Sequence, residues 1–446
     1  MNRLVFSDTD LRDLRSRLLE DAPQEAAGAV IARSGRGLEG LRFVVIESVV
    51  AEADDYIIRS EATAVLRPAF VARALRKARD ERASLFLVHT HPFQKWPGFS
   101  SVDADGEATI APTFYARAPD GPHGSLVFGS EGFSARLIDQ RGKATDRIDC
   151  LIEASRKVRV LRKDEGDAFD EMFDRNVRAL GEAGQRHLRS LHVGIVGVGG
   201  TGSFVVEELA RLGVGRLTLI DDEQIEVTNL NRIVGSTASD VGRPKVDVLA
   251  DVARRARADI EVTPVQGTIL REAVAKRLID CDLVFCCTDS HGSRAVINQV
   301  AYQYVVPTFD IGVRIDAEGG NVTGATSRVQ MLGPSLSCLA CHPLLSPEAV
   351  RRDLLTSAAR EADPYIVGFQ EPQPAVVSIN GAATSAAVTM FLTAVTGLPG
   401  DVRHLIGRPL DGSVRAVTSK PRLGCVVCSS ANALRRADSW PLMWIA

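Results

Sequence analysis

The run Gly197-Val198-Gly199-Gly200-Thr201-Gly202, set between an apolar stretch at 191–196 and a helical one at 202–212, constrains this chain most. Glycines at that spacing let a chain leave a strand, turn tightly and start a helix whose first amides favour phosphate. The next apolar run, 216–220, ends in Asp221, an acid placed to meet ribose hydroxyls. Further strands are expected at 260–265, 283–287 and 308–312. Strand and helix in alternation predict a Rossmann-like, doubly wound α/β domain: a parallel sheet with helices on both faces.

The charges beyond the acid narrow the ligand. Asn229-Leu230-Asn231-Arg232 is followed by Gly242-Arg243-Pro244-Lys245. An arginine and a lysine there suit a triphosphate, whereas a nicotinamide site has no such need. Cys286-Cys287-Thr288-Asp289 closes a strand, where an aspartate could hold Mg²⁺. Cys338-Leu-Ala-Cys341 and Cys425-Val-Val-Cys428 are two C-x-x-C knuckles. Two-residue spacing presents paired sulfurs to a tetrahedral metal, so the four together form a closed, structural zinc set joining distant segments.

The first third reads as mixed α/β. Ser7 can cap a helix carrying Leu11, Leu14, Leu18 and Leu19. Apolar runs follow at 28–32, 43–50, 85–88 and 125–128, with a helix expected over 62–82. The run at 85–88 leads into His89-Thr90-His91-Pro92, and Ser100-Ser-Val-Asp103 comes next. Alternate histidines at a strand end point the same way. With Asp103 they give three ligands and leave a fourth position for water, the pattern of a catalytic zinc.

Length and composition fit this division. At 446 residues two domains are expected, and the charged, aperiodic stretch after Arg141 marks the join. The expected domains are 1–145 and 169–446, with a linker at 146–168. A net charge of −3 gives no sign of a nucleic-acid or anionic-membrane partner. No apolar run is read as approaching the roughly 20 residues of a spanning helix. The N-terminus shows no signal peptide, so a cytoplasmic location is expected, and the eight cysteines suggest metal or thiol chemistry before disulfides.

The set Gly197-x-Gly199-Gly200-x-Gly202, Asp221, Asn229-Leu-Asn-Arg232, Lys245 and Thr288-Asp289 resembles the adenylation domain of ubiquitin-activating enzymes and their bacterial ThiF-type sulfur-carrier relatives, over roughly residues 170–430. The resemblance implies an ATP site of the glycines, Asp221 and Asn229, with Arg232 and Lys245 on the phosphates and Asp289 on Mg²⁺. It implies a zinc at the knuckles and a homodimer in which an upstream arginine reaches the partner's site. Arg175, in Phe173-Asp-Arg175-Asn176, is the best match and Arg178 the second. Glu223 departs from the family's usual Asp. No cysteine lies between His342 and Ser378, where many relatives carry one, so an external nucleophile, or a serine such as Ser378, is expected to take the adenylate.

Residues 1 to about 140 resemble the JAMM (Mov34/MPN-type) zinc proteases, which remove ubiquitin or trim ubiquitin-like tails. The resemblance implies His89, His91 and Asp103 on Zn²⁺, Glu25 as general base and Ser100 steadying the oxyanion. The gap from His91 to Ser100 is one residue longer than usual, with Lys95-Trp96-Pro97-Gly98 as the insertion. Both resemblances concern the same kind of tail. They imply ATP-dependent adenylation of the C-terminal glycine of a ubiquitin-like protein, coupled with peptidase processing or deconjugation of it. The setting implied is a bacterial conjugation pathway, antiviral defence being one use, with a ubiquitin-conjugating-type protein as a further partner. The alternative is sulfur-carrier activation and thiocarboxylate formation. A nicotinamide oxidoreductase is opposed by Arg232, Lys245 and the knuckles; a non-catalytic scaffold is opposed by the intact site residues. The apolar stretch Trp440-Pro-Leu-Met-Trp444-Ile-Ala446 either packs on its own domain or docks on a partner.

Overall fold

The computed structural model describes residues 1–162, 170–319, 321–356, 359 and 374–444, which divide into two compact units. The first comprises Met1–Ala154, residues 159–162 and Arg435–Pro441. The second comprises Ser155–Val158, residues 170–434 and residues 442–444.

The first unit is built on strands β1 (Asn2–Phe6), β2 (Ala27–Arg36), β3 (Leu41–Val50), β6 (Ser84–Thr90), β7 (His123–Phe128), β8 (Phe133–Ile138), β9 (Ala144–Ala154) and β10 (Val158–Leu161), with a separate hairpin of β4 (Tyr56–Arg59) and β5 (Ala64–Leu66). The order is β1-β3-β2-β6-β7-β8-β9-β10, and β1 also pairs with β9, so the sheet closes on itself. Alternation sorts the side chains. Val30, Ala32, Phe86 and Val88 join Leu11, Leu14 and Leu18 of the helix Asp8–Leu19 on one face. Ala29, Ile31 and Leu85 join Phe70, Val71 and Leu75 of the helix Pro68–Asp80, and Phe114 of the helix Ser101–Arg117, on the other. Both faces of β2 and β6 are therefore buried, which accounts for their unbroken apolar runs.

The second unit carries β11 (His192–Val196), β12 (Arg216–Asp221), β13 (Glu261–Gln266), β14 (Leu283–Cys286), β15 (Thr308–Glu318), β16 (Asn321–Leu332), β17 (His404–Arg408) and β18 (Ser413–Ala416), in the order β13-β12-β11-β14-β15-β16-β17-β18. The strands from β13 to β15 are parallel, as expected. Beyond β15 the sheet turns antiparallel, which the alternating strand–helix reading did not foresee. From Val313 on, β15 intersperses charges (Arg314, Asp316, Glu318), so the strand runs past its apolar stretch, which ends at Gly312.

Other expectations are corrected. Residues 144–154, assigned in part to the linker, are β9, and Ile148, Cys150, Leu151 and Ile152 are buried beneath its charged face. Residues 163–168 of that linker lie outside the described residues. The helix expected over 62–82 begins at Pro68, whose fixed φ suits a first helical turn, and β5 precedes it. Among the described residues one helix, Val377–Val395, is long and apolar enough to span a membrane by length and composition. Half of its apolar window is buried, with Ala387, Phe391 and Ala394 among the core residues. Its interspersed Ser, Asn and Thr side chains disguise the run.

Seven residues that sequence order would give to the second unit, Arg435–Pro441, belong to the first. Asp438 accepts the Arg36 amide at 2.9 Å, the Arg435 carbonyl accepts from the Arg33 guanidinium at 3.2 Å, and Arg435 pairs with Asp10 at 2.9 Å. Arg435 and Ala437 hold φ of 59° and 47°, a region non-glycine residues avoid, and Ala437 is fully buried. The first unit is thus completed by a strap from far along the chain. Combining Arg435→Asn, which tolerates the left-handed backbone, with Asp438→Ala should raise hydrogen exchange in β2 by several-fold while leaving β11 and β12 unchanged; unaltered exchange in β2 would refute the strap.

Candidate functional site

The strand order reverses at β11, with β12 on one side and β14 on the other, so a crevice opens at their carboxyl ends. β11 is followed by Gly197 at φ +83°, and the helix Gly200–Leu212 starts three residues on. A Cβ on Gly202 would lie 1.9 Å from the Gly197 carbonyl oxygen, and one on Gly197 would lie 2.9 Å from the Cys287 backbone. Only glycine permits this approach of helix to strand ends. Asp221, ending β12, accepts the Val198 amide at 2.8 Å and the Glu223 amide at 2.9 Å. Burial pushes its carboxyl up, partly offset by Lys245.

The predicted nucleotide residues gather around this turn. The stem of Arg232 lies 3.4 Å from a Cβ built on Gly200, and its guanidinium donates to the Thr228 carbonyl at 2.5 Å. Asn229 is buried, and its side chain accepts the Glu226 amide at 3.2 Å, capping the short turn that delivers Arg232. Lys245 is the first residue of the helix Lys245–Ala256; it is buried, with its ammonium against the Glu223 carboxylate. Asp289 is exposed just beyond β14. Arg175 and Arg178 are exposed near the start of the helix Asp174–Ser190, and Arg178 pairs with Asp174 at 2.8 Å.

Sequence reasoning missed two contributors. The Asn380 amide lies 2.5 Å from a Cβ built on Gly200, and Thr384 donates to the Thr201 carbonyl at 3.3 Å. The helix Val377–Val395 thus backs the glycine turn, and exposed Ser378 lies in its first turn. Beneath the crevice, Asp310 is fully buried between the Arg328 and Arg294 guanidiniums. Burial, with Asp310 nearby, raises the Cys286 thiol and pushes Cys287 up to about 12, so both stay protonated and weakly nucleophilic.

The cysteine knuckles meet. Sγ–Sγ separations are 3.6 Å for Cys338–Cys341, 3.4 Å for Cys338–Cys425 and 3.3 Å for Cys341–Cys428. Four thiolates around one zinc stand about 3.8 Å apart, from ~2.3 Å bonds at tetrahedral angles. The set fits the ion, and the Arg422 amide donating to Cys341 at 3.2 Å is the supporting bond thiolate ligands take.

In the first unit, antiparallel register sets Ala27 opposite His89 and so carries Glu25 toward His91. Ligand atoms of His89, His91 and Asp103 all lie within 4.8 Å of one another. His89 Nε2 approaches Asp103 at 3.1 Å without hydrogen-bond alignment, leaving a buried, unpartnered nitrogen, and the donor set suits zinc. Glu25 lies 3.7 Å from His91, and burial raises its carboxyl. Burial also pushes Asp103 up, but His89 and Ser100 outweigh it and hold that carboxyl well below its usual range. Ser100 caps the helix Ser101–Arg117 and its hydroxyl donates to Asp103 at 2.8 Å, so an oxyanion role requires it to turn. The longer loop is pinned: the Gly132 amide donates to the Lys95 carbonyl at 2.8 Å and Lys95 pairs with Glu131 at 2.8 Å.

Elemental analysis should find two zinc ions per chain. Cys425→Ser should lose one and unfold at a lower temperature, whereas His89→Ala should lose the other with little change in melting. Gly202→Ala should cost at least about 2 kcal/mol by backbone collision, read as a thermal shift.

A family model described as "ThiF family" matches residues 173–424. The sulfur carrier protein ThiS adenylyltransferase of Escherichia coli is 26% identical over 250 residues, 56% of this chain and 90% of that protein. The molybdopterin-synthase adenylyltransferase of Salmonella typhimurium is 34% identical over 164 residues, 37% of this chain and 64% of that one. The SAMP-activating enzyme E1 of Haloferax volcanii is 35% identical over 121 residues, 27% of this chain and 45% of that one. With more than half its length matched, including every residue of the glycine-turn crevice described above, the chain belongs to the ThiF family of adenylyltransferases.

Proposed function

We propose that the second unit adenylates the C-terminal carboxylate of a ubiquitin-like or sulfur-carrier protein. The supporting observation is Arg232 lying against a phosphate-favouring helix N-terminus, with Lys245 acting on Asp221, the acid for ribose, and Asp289 exposed beyond β14 as the acid for Mg²⁺. The carboxylate oxygen attacks the α-phosphate of ATP, the α–β phosphoanhydride bond breaks, and pyrophosphate leaves. Arg232 and Lys245 oppose the charge that develops, and Asp289 would hold a Mg²⁺ that supplies further compensation. Lys245 would exchange Glu223, which is largely exposed, for a phosphate oxygen. A homodimer would bring Arg175 to the partner's site. The buried, protonated thiols beside the turn and the cysteine-free stretch after the first knuckle support transfer to an external acceptor.

For the first unit we propose a JAMM-type zinc peptidase acting on the same tail. A zinc held by His89, His91 and Asp103 would supply a water that ionises near neutral pH. Glu25, with its raised carboxyl, takes up and returns a proton, and Ser100 faces the developing oxyanion once released from Asp103. Processing or deconjugation beside activation fits a ubiquitin-like conjugation pathway with a conjugating-type partner. Sulfur transfer is the second reading, favoured by the match along 90% of the ThiS adenylyltransferase.

With a glycine-tailed carrier, magnesium and ATP, the chain should exchange pyrophosphate into ATP. Lys245→Ala and Asp289→Ala should each reduce exchange by about 100-fold or more, and no exchange at saturating magnesium would end the adenylation reading. Mixing inactive Arg175→Ala with inactive Asp289→Ala protein should restore exchange if Arg175 acts across a dimer. Intact-mass spectrometry should show no thioester on this chain.

A further inference from the structure

The His89–His91–Asp103 cluster opens into a cavity of about 1300 Å³ between the helices Pro68–Asp80 and Ser101–Arg117. That exceeds the ~300–1,000 Å³ of small-molecule sites and suits a peptide. Its apolar wall includes Leu66, Val71, Leu75, Ile110 and Phe114, and one side is the strand β5, which pairs only with β4 among the described residues.

The charges along this cavity are segregated. β6 runs toward His89, and β7 lies parallel to it. The first helix ends at Asp80, shortly before β6 begins, and the second ends at Arg117, shortly before β7 begins. Both helix C-termini therefore lie at the end of the strands remote from the cluster. Arg76 and Arg117 line the cavity there. The exposed acids of the lining lie at the cluster end: Glu61 follows Ser60, whose carbonyl accepts the Glu25 amide at 2.9 Å, and Asp105 is near the start of the helix Ser101–Arg117. Fourteen helical residues from Asp103 to Arg117 span roughly 21 Å at ~1.5 Å each, the reach of about six extended residues.

The basic end is not balanced from within. On the helix Pro68–Asp80, Arg73 pairs with Asp55, Lys77 with Glu47 and Arg79 with Asp80. Arg76, facing the cavity, has no carboxylate partner among the described residues, and neither has Arg117. A surface of neutral salt-bridged charges needs no such pair of free guanidiniums at one end of an apolar groove.

We infer that this groove selects an extended peptide tail carrying acidic residues about six positions from the scissile bond, which Arg76 and Arg117 receive. The inference rests on the peptidase reading for the position of the scissile bond. Direct carboxylate contacts there would be charge-assisted and would weaken with salt.

The test uses full-length zinc-loaded chain carrying Glu25→Gln and three fluorescein-labelled decapeptides ending in Gly-Gly. They carry Asp-Asp, Ser-Ser or Lys-Lys six and seven residues before the last glycine. Anisotropy should show the Asp-Asp peptide bound at least fivefold tighter than the Lys-Lys one. The difference should fall below twofold in 0.5 M salt and in the doubly substituted Arg76→Ala/Arg117→Ala chain, whose changes are at exposed positions. Equal binding of the three, a preference for lysine, or no binding of any would overturn the inference. Cleavage of peptides extended past the glycines, by chain with native Glu25, reads the peptidase separately. Acid-selective binding without cleavage would sink the peptidase and keep the groove; cleavage indifferent to charge would do the reverse.

Discussion

A carbonyl oxygen 1.9 Å from where a side chain on Gly202 would begin is the constraint around which the second unit is arranged. It fixes how far the helix Gly200–Leu212 can approach the end of β11, and so where its free amides point. Asp221 then holds the turn by the Val198 amide, and Arg232 drapes its stem over Gly200. Each of these residues is positioned by backbone geometry before any ligand arrives. The helix Val377–Val395 closes over the same turn from the other side through Asn380 and Thr384.

The first unit solves a comparable problem by register. Antiparallel pairing of β2 with β6 sets Glu25 beside His91, and a helix cap at Ser100 aims Asp103 at the same point. Each unit therefore presents charged side chains from strand ends, first turns of helices and short capped turns. The buried Asp310 between two arginines is a different device, because removing one partner of a buried charge cluster leaves the others uncompensated.

Legibility followed locality. The strand–turn–helix at Gly197, the C-x-x-C pairs and the alternate histidines are set by spacing within a few residues, and the structure brings each group together. What escaped depends on partners far away in sequence. Charges on the open face of β9 hid its buried side, and β5 is too short to show a period. Polar residues in the helix Val377–Val395 broke up a run that the fold treats as core. Asn380, Asp310 and Arg328 carry no motif at all; only the packing of the helix on the turn, and of β16 on β15, gives them a role.

The strap at Arg435–Pro441 bears on how the molecule is made. Domains ordinarily mature in the order in which a ribosome releases them, amino end first. Here the opening unit waits for residues translated after nearly the whole of its neighbour. Until they emerge, the backbone amide of Arg36 and the carboxylate of Asp10 have lost partners that the finished fold supplies. Synthesis of the activating half thus precedes completion of the half that stands before it in the message.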